Sequence, residues 1–168
     1  TMMVFLTTIA DMMHEYKAVC FDSEKGWLLN IHENYPNAPR SPFYINVGPI
    51  LRSVVRFRRI VVDSMIYIVR SYCGAVDVVS DVPQKSTPYV VSLSDATGIP
   101  MISPRMRQKS HGNTDEVIGI YRTRGLRIVI CDDLRTTSKS LLQMVNLYTR
   151  HGFEVAACLG IIDRASAE

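Results

Sequence analysis

From residue 76 onward the sequence predicts an α/β fold, a parallel sheet with helices on both faces. Two observations carry this. Short apolar runs at 76–82, 99–104, 117–121, 126–132 and 154–163 alternate with helix-like segments at 87–98 and 140–152. The runs are also apolar at consecutive positions, as strands buried on both faces must be. A third observation concerns function. The runs end in polar turns: SDVPQKST, Arg105, Asp132 with Asp133, and Asp163 with Arg164. In parallel sheets, ligands gather at the carboxyl ends of the strands.

The elements follow in order. TMMVFLTTIADMM, continuing to about Tyr16, reads as an amphipathic helix packed on the body. It lacks the basic n-region of a signal peptide. The segment 34–42 is rich in Pro and Asn and reads as a loop, and FYINV (43–47) alternates like a strand. From Leu51 to Arg70 the residues Leu51, Val54, Val55, Ile60, Val61, Met65, Ile66 and Val69 recur at helical spacing, predicting one long helix. Gly98 closes the helix at 87–98, and Gly152 the helix at 140–152. The stretch 105–116 is polar, charged and without period, so a long mobile loop is expected there, between strands at 99–104 and 117–121. Strands at 126–132 and 154–163 complete the sheet.

Bulk properties narrow the function. The 168 residues suffice for one domain with a real core, and the 47% hydrophobic and 21% charged composition is that of an ordinary globular protein. A net charge of +3 is too weak to indicate nucleic acid but suits a phosphorylated substrate. No run is long enough to span a bilayer. Cys20, Cys73, Cys131 and Cys158 form no C-x-x-C pair and stand near no His cluster, which argues against zinc. Cys131 and Cys158 sit in apolar runs and read as buried free thiols, in keeping with a reducing, cytoplasmic compartment. The chain opens on Thr1, which reads as a processed or trimmed product.

The chemistry concentrates in RIVICDDLRTTSKSLL (127–142). A strand ending in two acids, then a turn of hydroxyls, then a helix N-terminus make a phosphate cradle. Loop amides and the helix dipole favour an anion, and hydroxyls add hydrogen bonds. Asp132 and Asp133 suit ribose hydroxyls or a hydrated Mg²⁺. The plainer alternative is a strand-to-helix turn capped by Thr137 or Ser138, with solvated acids.

VICDDLRTTSKS (129–140) resembles the phosphoribosyl diphosphate (PRPP) signature of the type I phosphoribosyltransferases, and four further stretches resemble the orotate-using branch of that family. RSPFYINVG (40–48) is similar to its substrate-binding stretch, SDVPQKSTP (80–88) to its pyrophosphate loop, PRMRQKSHGN (104–113) to its catalytic loop, and IIDR (161–164) to its last strand. The resemblance covers about Ser41 to Arg164. It implies a helix and hood segment at 1–48 ahead of a core at 49–168, in one compact domain. It implies transfer of phosphoribosyl from PRPP to orotate with Mg²⁺, releasing pyrophosphate, by a homodimer whose catalytic loop covers a neighbour's site. Lys109, His111 and Asp133 become the catalytic residues. Asp132, Thr136, Thr137, Ser138, Ser140, Lys85, Arg105, Phe43, Tyr44 and Arg164 become substrate-binding, and Asp132 and Asp133 hold the metal through water.

Some positions depart from the pattern. Ser138 and Asp81 stand where glycine is usual, Met106 where a lysine is usual, and the lysine ahead of S-P has no counterpart. An acid at 81 is expected to repel pyrophosphate, and Arg135 to attract phosphate. The chain also stops four residues after Arg164, where family members continue. These departures support a second reading, a non-catalytic relative that serves as a structural subunit among protein partners in a larger, mitochondrial assembly. A third reading is a phosphoribosyltransferase acting on another base, or a regulator.

Overall fold

The computed structural model describes residues 1–29, 31–105, 115–119, 125–136 and 139–164. Helix α1 (Met2–Glu15) opens the chain, followed by β1 (Val19–Phe21), a short helix α2 (Ile31–Asn34) and β2 (Phe43–Ile45). β1 and β2 pair antiparallel, with Cys20 opposite Tyr44 and Phe21 opposite Phe43. A bridge between Trp27 and Ser41 extends this small sheet. β2 lies inside the strand expected at 43–47, whereas β1 was not expected from the sequence.

The long helix expected from Leu51 to Arg70 is two helices, α3 (Gly48–Ser53) and α4 (Val55–Tyr72), broken at Val54 (φ −102°, ψ 93°). Apolar spacing continues through the break, so periodicity could not find it. The physical reason is Arg58. Its guanidinium donates to the Leu51 carbonyl at 2.8 Å and the Arg52 carbonyl at 3.0 Å, satisfying acceptors that the end of α3 would otherwise leave open.

The main sheet follows, with β3 (Val78–Asp81), α5 (Thr87–Thr97), β4 (Met101–Pro104), β5 (Val117–Ile118), β6 (Arg127–Arg135), α6 (Lys139–Arg150) and β7 (Glu154–Asp163). Gly98 ends α5 in the left-handed region (φ 72°), a conformation that glycine adopts without the Cβ penalty. The strand order is β5-β4-β3-β6-β7. β4, β3, β6 and β7 are parallel, and β5 runs antiparallel to β4. The sheet is therefore mostly parallel, with one reversed edge strand.

Side chains alternate across this sheet. Val79, Val129 and Cys131 face α4 and α5, where Phe57, Val61, Met65, Tyr89 and Leu93 are fully or nearly fully buried. Val78, Ile128 and Ile130 face the other way, against Leu141, Met144 and Tyr148 of α6. Helices thus cover both faces, as the apolar runs require. Tyr148 reaches the sheet directly, its hydroxyl 2.6 Å from the Ser80 hydroxyl. That contact fixes α6, and with it the turn ahead of α6.

Two expectations change. The strand carrying the acids does not end at them, because β6 runs on to Arg135, held by pairing with β7 as far as Arg135 opposite Asp163. Cys131 is buried, but Cys158 is exposed. Its run is apolar on both faces, yet β7 is an edge strand and its cover there is incomplete.

Candidate functional site

The carboxyl ends of β3, β4, β6 and β7 lie on one edge of the sheet, and the polar residues read from sequence gather there in two groups. The first surrounds a hollow lined by Lys85, Asp132, Leu134, Arg135, Thr136, Lys139, Ser140 and Leu141. The second is a corner built by Ser41, Phe43 and Arg164.

The hollow lies between the β3–α5 turn and the β6–α6 turn. Ser86 ties the two units together. Its hydroxyl accepts the Val82 amide at 2.8 Å and donates to the Cys131 carbonyl at 2.7 Å. Tyr89 adds a second tie, its hydroxyl donating to the Asp132 carbonyl at 2.8 Å. The backbone that carries the acids is therefore clamped from α5. Asp132 itself is only 4% exposed. Among the described residues, its carboxylate accepts one hydrogen bond, from the Asp133 amide at 2.9 Å. Burial pushes the Asp132 carboxyl up to about 6, with the Asp133 charge adding to the rise, while the Asp133 amide and the Lys85 cation oppose it. Asp132 thus sits near Lys85 at the hollow, an underpaired buried acid whose charged form a cation or hydroxyl donors would favour.

Asp133 behaves differently. It is absent from the lining of the hollow, although its carboxyl lies close enough to Asp132 to help raise it. Its carboxylate accepts the Leu134 amide at 2.8 Å. Thr136 and Ser140 line the hollow together with Lys139, a cation at the first position of α6 that sequence reading passed over. Thr137, Ser138, Lys109 and His111, and Met106 among the departures, lie outside the described residues.

Arg135, expected to attract phosphate, makes a bidentate ion pair with Asp163, at 2.9 Å and 2.5 Å. The pair lies along the hydrogen-bonding direction of the β6–β7 ladder, so both side chains hold the ladder end. Asp81, expected to repel pyrophosphate, is 1% exposed, and its carboxylate accepts the Ser103 hydroxyl at 2.6 Å and the Thr87 hydroxyl. Arg105 follows β4, and its amide donates to the Glu116 carbonyl and its guanidinium to the Asp115 carbonyl, each at 2.7 Å. It therefore ties the end of β4 to the residues just ahead of β5.

The corner begins one residue beyond β7. The Arg164 amide donates to the Arg135 carbonyl at 2.8 Å, so the corner adjoins the rim of the hollow. The Arg164 guanidinium stacks over the Phe43 ring, 4.6 Å from its centroid, and donates to the Ser41 hydroxyl at 2.8 Å. Ser41 in turn donates to the Phe43 carbonyl at 2.6 Å. Phe21 packs on Phe43 at 6.3 Å. Tyr44 points to the other side of β2 and stacks on Trp27 at 5.4 Å. Of the two aromatics expected near a base, only Phe43 joins Arg164. A wider, shallow concavity over Ile31, Tyr35 and Pro36 has no carboxylate or cation in its lining and lies apart from this chemistry.

No protein-family model matches the chain. The chain is similar to curated proteins named orotate phosphoribosyltransferase. The one from Coxiella burnetii is 27% identical over 157 residues, covering 92% of this chain and 70% of the relative. Among solved structures, the orotate phosphoribosyltransferase of Aeropyrum pernix superimposes with a TM-score of 0.74 at 22% identity, over 93% of this chain and 81% of that one. The UMP synthase of Leishmania donovani gives 0.75 at 22%, over 94% of this chain and 31% of that one. This is the type I phosphoribosyltransferase fold. The chain spans 57% to 70% of the length of three curated relatives.

Within this phosphoribosyltransferase fold, sequence reading missed Ser41, Ser86, Tyr89, Ser103, Thr87 and Lys139 as residues that build the site. Lys139 carried a signal as a cation inside the hydroxyl turn, and Ser41, Ser86 and Thr87 lie inside stretches that resemble the family. Ser86, Tyr89, Ser103 and Ser41 also act through partners distant in sequence, whereas Thr87 bonds Asp81 and Gln84 within six residues.

Proposed function

We propose that the chain is an orotate phosphoribosyltransferase, joining orotate to the anomeric carbon of PRPP and releasing pyrophosphate. The observation that carries this reading is the buried, weakly satisfied Asp132 facing Lys85, Thr136, Lys139 and Ser140 at the rim of one hollow. An acid, cations and hydroxyls beside a helix N-terminus suit a sugar phosphate. The names of the curated relatives support orotate as the base.

The reaction breaks the bond from anomeric carbon to pyrophosphate oxygen and forms a bond to a ring nitrogen of the base. Positive charge grows on the sugar while negative charge grows on the leaving group. Asp132 accepts ribose hydroxyls and favours the cationic sugar; Asp133, next to it, supports the same charge. Thr136, Thr137, Ser138, Lys139 and Ser140 hold the 5′-phosphate. Lys85 and Arg105, with Lys109 and His111 from the catalytic loop, neutralise the departing pyrophosphate. Phe43 and Arg164 hold the planar, anionic base by stacking and charge. Closure of that loop, supplied by the second subunit of a homodimer, excludes water that would hydrolyse the sugar.

Among the described residues no cluster of three or more His, Cys, Asp or Glu could cage a metal. The adjacent carboxylates of Asp132 and Asp133 nonetheless fit Mg²⁺, which keeps its waters and binds through one or two acids together with substrate phosphates. When bound, Mg²⁺ supplies charge neutralisation on the pyrophosphate.

The test mixes purified protein with orotate, PRPP and Mg²⁺ and follows loss of orotate absorbance together with pyrophosphate release. Equal amounts of nucleotide and pyrophosphate are expected. A folded sample that releases no pyrophosphate in the presence of orotate would sink the reading.

A further inference from the structure

Asp81 belongs to no substrate contact in the reading above, yet it is among the most buried polar residues of the chain. Each of its carboxylate oxygens has a different partner. Oδ1 accepts the hydroxyl of Ser103, on β4 just ahead of Arg105 and the catalytic-loop stem. Oδ2 accepts the hydroxyl of Thr87, at the start of α5. With its proton committed to Asp81, the Thr87 oxygen offers its lone pairs elsewhere, and it accepts the amide of Gln84 at 2.9 Å.

Gln84 is the residue that needs such a partner. It sits in the left-handed region (φ 66°), which a residue with a Cβ adopts only when its surroundings hold it there. A second hold comes from Arg52 of α3, whose guanidinium donates to the Gln84 carbonyl. The next residue is Lys85, which lines the hollow with Asp132. The run of contacts from Ser103 through Asp81 and Thr87 to Gln84 thus spans two strand ends and finishes one residue from the cation expected to meet pyrophosphate.

We propose that Asp81 is a positioning residue that acts through Thr87 to hold Gln84 left-handed, thereby aiming Lys85 at the pyrophosphate of PRPP. The inference rests on the phosphoribosyltransferase reading. It assigns the acid at this position a supporting role in pyrophosphate binding. Released from Thr87, the Gln84 peptide relaxes toward ordinary φ values and Lys85 leaves the hollow. The loss falls on the pyrophosphate end of the site and leaves the Phe43–Arg164 corner intact.

The experiment measures Mg–pyrophosphate binding by calorimetry, and KM for PRPP and orotate with kcat, in wild type, Thr87→Val and Asp81→Asn. Thr87→Val keeps the side-chain shape and removes the hydroxyl. Both variants should weaken pyrophosphate binding and raise KM for PRPP about tenfold, the scale of one lost hydrogen bond to a charged group, with kcat and orotate KM within about twofold of wild type. Ser103→Ala, which leaves the Thr87–Gln84 contact in place, should shift PRPP KM less than either. A general packing defect would move both substrates together and so would overturn the proposal. If Asp81→Asn does not fold, Thr87→Val decides alone. Wild type that binds and turns over while Thr87→Val binds pyrophosphate equally well overturns this inference only. Wild type that binds no pyrophosphate overturns the functional reading, and this inference with it.

Discussion

Two neighbouring strands of one sheet each carry an aspartate in their carboxyl half, and the two acids are treated in opposite ways. Asp81 of β3 lies beside Cys131 of β6, and Asp132 is the next residue. Both are nearly inaccessible, at 1% and 4% exposed. Asp81 has a hydroxyl donor on each oxygen. Asp132 has one backbone amide among the described residues, and burial pushes its carboxyl up to about 6. A buried carboxylate that is fully hydrogen-bonded holds structure together, whereas one left short of donors stores a demand that a ligand can meet. On the proposed function, the difference separates the acid that builds the site from the acid that faces the substrate.

The largest expected effect breaks that comparison at Asp132. Asp132→Asn should cost at least about a hundredfold in kcat/KM, since a charge aimed at the developing cation is lost. The same change should stabilise the ligand-free protein above neutral pH, because it removes a buried charge that has too few partners. The gain is on the order of 1–3 kcal/mol in chemical denaturation. Asp81→Asn should do the reverse to stability, lowering it by roughly 1–3 kcal/mol, since one hydroxyl loses its acceptor. Equal signs for the two variants would contradict the comparison.

Next comes the corner. Arg164→Ala should raise KM for orotate roughly tenfold and leave KM for PRPP nearly unchanged, because it removes a cation stacked on Phe43 and held by Ser41. A matching rise for PRPP would move Arg164 out of the base site.

The pH dependence sharpens the same point. The folded-state pKa of Asp132, about 6, lies above its unfolded value near 3.8. The folded state therefore holds a proton that the unfolded state has released between those values, and stability falls as pH rises through that window. Ligand-free wild type should become more stable on acidification from neutral pH toward the unfolded pKa, and Asp132→Asn should lose this component of the slope.

The smallest effect belongs to the Arg135–Asp163 pair. Both side chains are about half exposed, at 43% and 55%, so Asp163→Asn should lower stability only slightly, and less in high salt, by chemical denaturation.

How much of this was legible in the sequence depends on how far each contact reaches along the chain. β7 and α6 announced themselves through long apolar patterns bounded by Gly152 and by Asp163. The acids of β6 stood out because a buried strand rarely carries two. The break at Val54 was hidden, since Val54 and Val55 keep the helical stripe while Arg58 supplies the missing donors. The two fates of Asp81 and Asp132 were hidden too. Ser103 is 22 residues from Asp81, Ser86 is 45 from Cys131, and Ser41 is 123 from Arg164. Only folding brings those hydroxyls to their partners.

The most direct test is calorimetric titration of Mg–PRPP into wild type and Asp132→Asn between about pH 5 and pH 8, where Asp132 changes charge. Wild type should bind tightly at the upper end and lose about tenfold in affinity per unit below a midpoint near 6, releasing a proton on binding there. Asp132→Asn should bind weakly throughout, without that midpoint. Binding by Asp132→Asn as tight as wild type, with the same pH profile, would contradict the claim that the underpaired acid of β6 is the one that meets the substrate.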